Sequence, residues 1–145
     1  VPAPTSTTFG SNSAAIPASQ SSIAYLFAEI EGYSKFGSYT SNNDPNGPFV
    51  YTGFRPRWLI VKRAAATAGS TGGWFMYDTA RNTYNVMDKY LFAEGAAGDN
   101  TLGVFDFTSN GFKIRSNNVH VNTTAGNTYI YMAFAESPFK FSLAR

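Results

Sequence analysis

At 145 residues the chain is one domain's worth, long enough for a two-sheet core and too short for two independent ones. Its 11 basic and 9 acidic side chains leave a net charge of +2, which excludes the clustered basic footprint of a nucleic-acid binder. There is no cysteine, so disulfides and thiolate metal sites are excluded, and no apolar run approaches the roughly 20 residues of a membrane helix.

Residues 1–22 hold Pro2, Pro4, Pro17 and nine Ser or Thr residues without a single charge. Such a stretch cannot bury enough apolar surface to offset its own ordering entropy. It reads as an uncharged arm or linker, and the functional form of that reading is an extended strap over a neighbouring subunit, touching it through Val1, Phe9 and Ile16. Residues 23–145 read as a β-domain.

Ile23–Ile30 alternates as a strand, and Tyr33–Tyr39 follows Gly32 as a second. Residues 41–48, rich in Asn and Pro, form a loop before the short strand Phe49–Tyr51. Arg57–Arg63 contains Trp58-Leu59-Ile60-Val61, apolar on both faces, and is expected in the middle of a sheet. A glycine-rich turn over Gly69–Gly73 leads into Trp74–Asp78, with Trp58 and Trp74 both expected in the core. Asp78 and Arg81 are spaced for an ion pair at that strand's end. Residues 79–103 are the least legible, with a strand at Tyr90–Phe92. The strongest local signal is a hairpin, Phe105–Thr108 against Phe112–Arg115, around Ser109-Asn110-Gly111, whose residues suit positive φ. Thr123–Asn127 is a turn and Tyr129–Glu136 a long closing strand. Short strands separated by turns predict an all-β fold, an antiparallel β-sandwich resembling a jelly roll, with an extended N-terminal arm.

The chain also echoes itself. Ile-Ala-Tyr-Leu-Phe-Ala-Glu over Ile23–Glu29 matches Ile-Tyr-Met-Ala-Phe-Ala-Glu over Ile130–Glu136. Equivalent closing strands of tandem units would produce this pattern, and both Phe27 and Phe134 would then be buried, each costing about 3–5 kcal/mol on replacement by Ala.

Chemistry is sparse. Glu29 and Glu31 would share one strand face about 7 Å apart, a spacing glycoside cleavage uses, but the match of Glu29 to Glu136 favours a strand-end role. His120 is the only histidine and no nucleophile elbow accompanies it, so neither a triad nor a zinc site is expected. The Asn42-Asn43-Asp44 and Asn46 oxygens are too poor in carboxylate for calcium and suit an ordinary turn. The expectation is a non-enzymatic domain with no metal and no cofactor. Aromatic faces beside Asn and Asp remain as glycan contacts, with Tyr39, Asn42, Asp44, Trp74 and Tyr84 as the candidates.

Several segments together resemble a β-rich module of tailed-phage tail-fibre and virion surface proteins, often found in tandem. They are 27–40, the Gly-Phe-Arg-Pro-Arg-Trp-Leu-Ile-Val-Lys run of 53–62, Tyr77–Arg81, Phe107–Phe112 and Tyr129–Glu136. The resemblance implies a structural part of a virion, on a tail fibre or capsid surface, that assembles with copies of itself or with other virion proteins. It implies a protein made in the host cytoplasm and extracellular after release. The alternative expectation is a receptor-binding module for a bacterial surface glycan.

Overall fold

The computed structural model describes residues 5, 21, 23–64 and 73–137. Val1, Phe9 and Ile16, and most of the Gly69–Gly73 turn, lie outside the described residues. Within them the fold is all-β: β1 (Ser34–Thr40), β2 (Phe49–Tyr51), β3 (Pro56–Arg63), β4 (Phe75–Asp78), β5 (Met87–Phe92), β6 (Asn100–Thr108), β7 (Gly111–Ile114) and β8 (Thr128–Ala135). All pairings are antiparallel, and the lateral order β1-β8-β3-β4-β5-β6-β7-β2 curls into a sandwich that is nearly a closed barrel. β5 makes the corner, pairing with β4 at Leu91–Phe92 and with β6 from Met87 to Tyr90. β1 and β2 are the two end strands, and no ladder joins them.

Alternation decides which side chains fill the core. Leu59 and Val61 of β3, Phe75 and Tyr77 of β4, and Tyr129, Tyr131 and Ala133 of β8 face Phe105 and Phe107 of β6 and Phe112 and Ile114 of β7. Edge-on ring contacts fix the packing: Tyr77 to Phe105 at 5.0 Å, Phe105 to Phe112 at 5.6 Å and Phe112 to Tyr131 at 5.3 Å.

The hairpin forms in the expected register, with Phe105 opposite Ile114 and Thr108 opposite Gly111. Its chemistry differs from the expectation, because Ser109, Asn110 and Gly111 all lack positive φ. Gly111 is required for a close approach instead: a β-carbon there would meet the Val50 carbonyl oxygen of β2 at 2.1 Å. Among the described residues the left-handed positions fall elsewhere, at Thr124 and Gly126 in the turn before β8, at Gly32 before β1, at Asn43 in the loop after it and at Gly53 after β2.

β3 is central, between β8 and β4, but it is fully covered on one face only: Leu59 and Val61 are buried inside, while Trp58 and Lys62 on the outer face are half-buried. The tryptophans differ from expectation: Trp58 and Trp74 are half-buried on the outer side of the sheet. Lys62 Nζ sits 5.2 Å from the Trp74 ring centroid, and Trp58 packs on Phe134 at 5.7 Å. Arg81 Nε donates to Asp78 Oδ2 at 2.6 Å and Arg81 Nη1 to Asp99 at 2.6 Å, so the expected ion pair also ties in the loop before β6.

Ile23–Ile30 is not a strand. Only Ile30 makes a bridge, to Ser34, while Ile23, Tyr25, Leu26 and Phe27 are 81%, 79%, 77% and 57% exposed. The slot that this motif would fill, between β1 and β3, is taken by its second copy in β8. The two echoed phenylalanines therefore touch each other, Phe27 edge-on to Phe134 at 5.7 Å, instead of occupying equivalent buried sites.

Candidate functional site

Where the two end strands face each other without pairing, the sandwich has an open mouth of about 830 Å³. One wall is the turn into β1. Gly32, at φ 71°, lets Tyr33 and Ser34 donate backbone N–H groups to Ile30 O at 3.0 and 2.9 Å. Ser34, itself buried, donates its hydroxyl to Ala28 O at 2.9 Å and accepts from Ile30 N–H at 3.1 Å. That clamp sets Glu29 and Glu31 on the rim.

The opposite wall is the chain leaving β2. Thr52 and Gly53 donate backbone N–H groups to Asn110 O at 3.0 and 3.1 Å, and the Thr52 hydroxyl donates to Phe54 O at 2.6 Å. Tyr51 stands 64% exposed at this wall, its ring lying over Gly53. Beside the mouth, Arg55 pairs with Glu136 at 2.7 Å and donates to Phe107 O at 3.2 Å.

The charges in the mouth are unequal. Lys35 donates a charge-assisted hydrogen bond to Glu29, which holds the Glu29 carboxyl below the usual glutamate range and the Lys35 ammonium above its own. Glu31 makes no ion pair among the described residues. Both carboxylates considered from sequence thus reach one cavity, but from a turn and its approach, not from a shared strand face.

Outside the mouth lies an aromatic cluster. Phe134 is ringed by Phe27, Tyr33 and Phe36 at 5.7, 5.9 and 5.9 Å, and by Trp58. The exposed run Ile23–Phe27 leads into this cluster.

The glycan contacts expected from sequence do not converge. Tyr39 points into the core, stacked on Tyr129 at 5.2 Å, with its hydroxyl donating to Val121 O at 2.7 Å. Burial pushes that phenol well above the ordinary tyrosine range. Asn42 and Asp44 serve their own loop: Asn42 Oδ1 accepts from Asp44 N–H at 3.1 Å and from Asn122 Nδ2 at 2.9 Å, and Asp44 Oδ1 accepts from Asn46 N–H at 2.7 Å. Asn122, fully buried, is the hub of that loop and also donates to Asp44 O and Ser116 O at 2.8 and 3.0 Å. Trp74 lines a separate cavity of about 390 Å³ with Ile60, Ala93, Glu94 and Met132. Tyr84, 82% exposed, sits on the β4–β5 loop, at the end of the sandwich away from Asn42 and Asp44. Its neighbour Asn85 bonds both polar backbone groups of Phe107, at 3.0 and 2.9 Å. His120 packs against Phe75, the tilted rings 4.4 Å apart.

Sequence reasoning missed Tyr51 and the mouth itself. The available signal was Thr52-Gly53 directly after a three-residue strand, which marks a chain leaving a sheet edge.

The fold is an antiparallel β-sandwich with a polar-walled mouth and an exposed aromatic flank. Residues 1–138 match the family described as a domain of unknown function (DUF7483), and the chain belongs to that family. No curated protein and no solved structure matches it.

Proposed function

We propose that this domain is a non-enzymatic structural module of a phage virion, on a tail fibre or capsid surface, that assembles with copies of itself. The carrying observation is the exposure of Ile23, Tyr25, Leu26 and Phe27, which continue into Ile30 and Tyr33 at 45% and 37%. Large apolar side chains exposed in such a run mark an interaction site more often than a free surface. The segment also repeats the sequence of β8, so it has the alternation of a strand without a place in its own sheet. The virion setting rests on the resemblance of the motifs over residues 27–136.

The non-enzymatic part is supported by the ion pair of Lys35 with Glu29, which gives one of the mouth's two carboxylates a structural partner.

Sedimentation velocity of the whole chain across a concentration series tests assembly. The expected outcome is a concentration-dependent oligomer, reduced at least tenfold in association constant by the triple substitution Ile23→Ser, Tyr25→Ser, Leu26→Ser. A monomer at all concentrations up to millimolar, or an oligomer indifferent to the triple substitution, contradicts the proposal.

A further inference from the structure

We infer that the open mouth between β1 and β2 is a carbohydrate-binding site, taking one or two sugar residues of a neutral glycan. This inference does not rest on the assembly reading, since the mouth and the Ile23–Phe27 run are different surfaces.

Four observations carry it. The volume of about 830 Å³ lies within the range of small-ligand sites, roughly 300–1,000 Å³. Tyr51, in the lining of the mouth, offers an aromatic ring that is 64% exposed and lies on the side of Gly53 that a side chain would occupy. A sugar's C–H face stacks on such a ring. Opposite it, Glu31 presents carboxylate oxygens that no described ion pair consumes, suited to accepting from neighbouring sugar hydroxyls. Beside these, the Glu29–Lys35 pair supplies a donor and an acceptor fixed relative to each other, as a diol requires.

The charge balance selects among ligands. Lys35 offsets Glu29, leaving Glu31 as the net charge among the described lining residues, so these residues do not form a strong cation trap. An anionic sugar would meet Glu31 unfavourably, which points to a neutral one. The substitutions that matter are on rims whose backbones are anchored elsewhere, Tyr51 by the β7 ladder and Glu31 by the Ile30–Ser34 turn. Changing these side chains therefore leaves the fold in place.

Saturation-transfer NMR of the full chain provides the test, using glucose, galactose, N-acetylglucosamine, lactose and maltose at millimolar concentration. Sialic acid and a trilysine peptide serve as charged comparators. At least one neutral sugar should bind, and Tyr51→Ala and Glu31→Gln should each weaken it at least tenfold, while Trp74→Ala leaves it unchanged. Folding of each variant is checked by its circular dichroism. The inference is overturned if no neutral sugar binds, if a charged comparator binds more tightly than all of them, or if Trp74→Ala abolishes binding that Tyr51→Ala spares.

Discussion

Replacing Gly111 with alanine should destabilise the domain by about 3 kcal/mol or more, as measured by urea denaturation. The added β-carbon would sit 2.1 Å from the Val50 carbonyl oxygen and 3.0 Å from the Phe49 ring. A side chain can rotate out of such a clash, but Val50 O belongs to the backbone of β2 and moves only with the strand. β2 is three residues long and its ladder is entirely to β7, through Phe49–Lys113, Val50–Phe112 and Tyr51–Gly111. Pushing it away would open the core over Phe112 and release the Thr52 and Gly53 bonds to Asn110 O, so the wall of the mouth would be lost with the strand. Gly98→Ala is the matched control, because its added carbon meets nothing within 4 Å. It should change stability by less than about 0.5 kcal/mol. A Gly111→Ala protein within about 1 kcal/mol of the parent would show that β2 is not held as described.

The second large effect is alkaline unfolding. Burial raises the Tyr39 phenol well above the ordinary value, with Tyr129 and Tyr77 adding to it, and raises Tyr77 strongly, with Tyr90 adding. Burial also raises Tyr129 and Tyr131. Below about pH 10 these phenols are protonated in both the folded and the unfolded chain, and their contribution to stability is fully present. Above that, the unfolded chain releases protons that the folded one retains. Stability then falls as pH climbs toward the folded-state values, by up to about 1.4 kcal/mol per pH unit for each group. A melting temperature far lower at pH 11.5 than at pH 8 is expected, with the phenolate absorbance of the buried tyrosines appearing in step with unfolding. Full phenolate absorbance in a protein that still melts cooperatively at its pH 8 temperature would contradict the burial of Tyr39 and Tyr77.

Much of the sheet was legible in the sequence for a local reason. β7 and the last residues of β6 are joined by a two-residue turn, so alternation alone sets Phe105, Phe107, Phe112 and Ile114 on one face. β2 and β3 are bounded by Pro and Gly and fall where those residues place them. β5 was harder because it bends across two sheets, and its Met87–Phe92 register is broken between Met87 and Lys89. Ile23–Ile30 shows what alternation cannot say. Propensity marks a segment fit to be a strand, but the place between β1 and β3 that this motif takes is already filled by its second copy, β8. The sites were less legible than the fold. Tyr39 lies one alternation step inside the sheet, and Asn42 and Asp44 are consumed by a loop whose partner, Asn122, is 80 residues away from Asn42. The mouth joins residues 29–35 to 51–54, an adjacency set only by how the sheet curls.

The proposal that Ile23–Phe27 is an assembly surface has a direct measurement: hydrogen exchange of the backbone amides from Ile23 to Glu29 as a function of protein concentration. In a monomer this run makes no ladder, so its amides should exchange rapidly in dilute solution. If copies assemble through it, protection should rise with concentration in this segment, while amides of the β3–β8 ladder remain protected throughout. Exchange that stays fast in Ile23–Glu29 at concentrations where the chain is oligomeric would place the interface elsewhere and contradict the account.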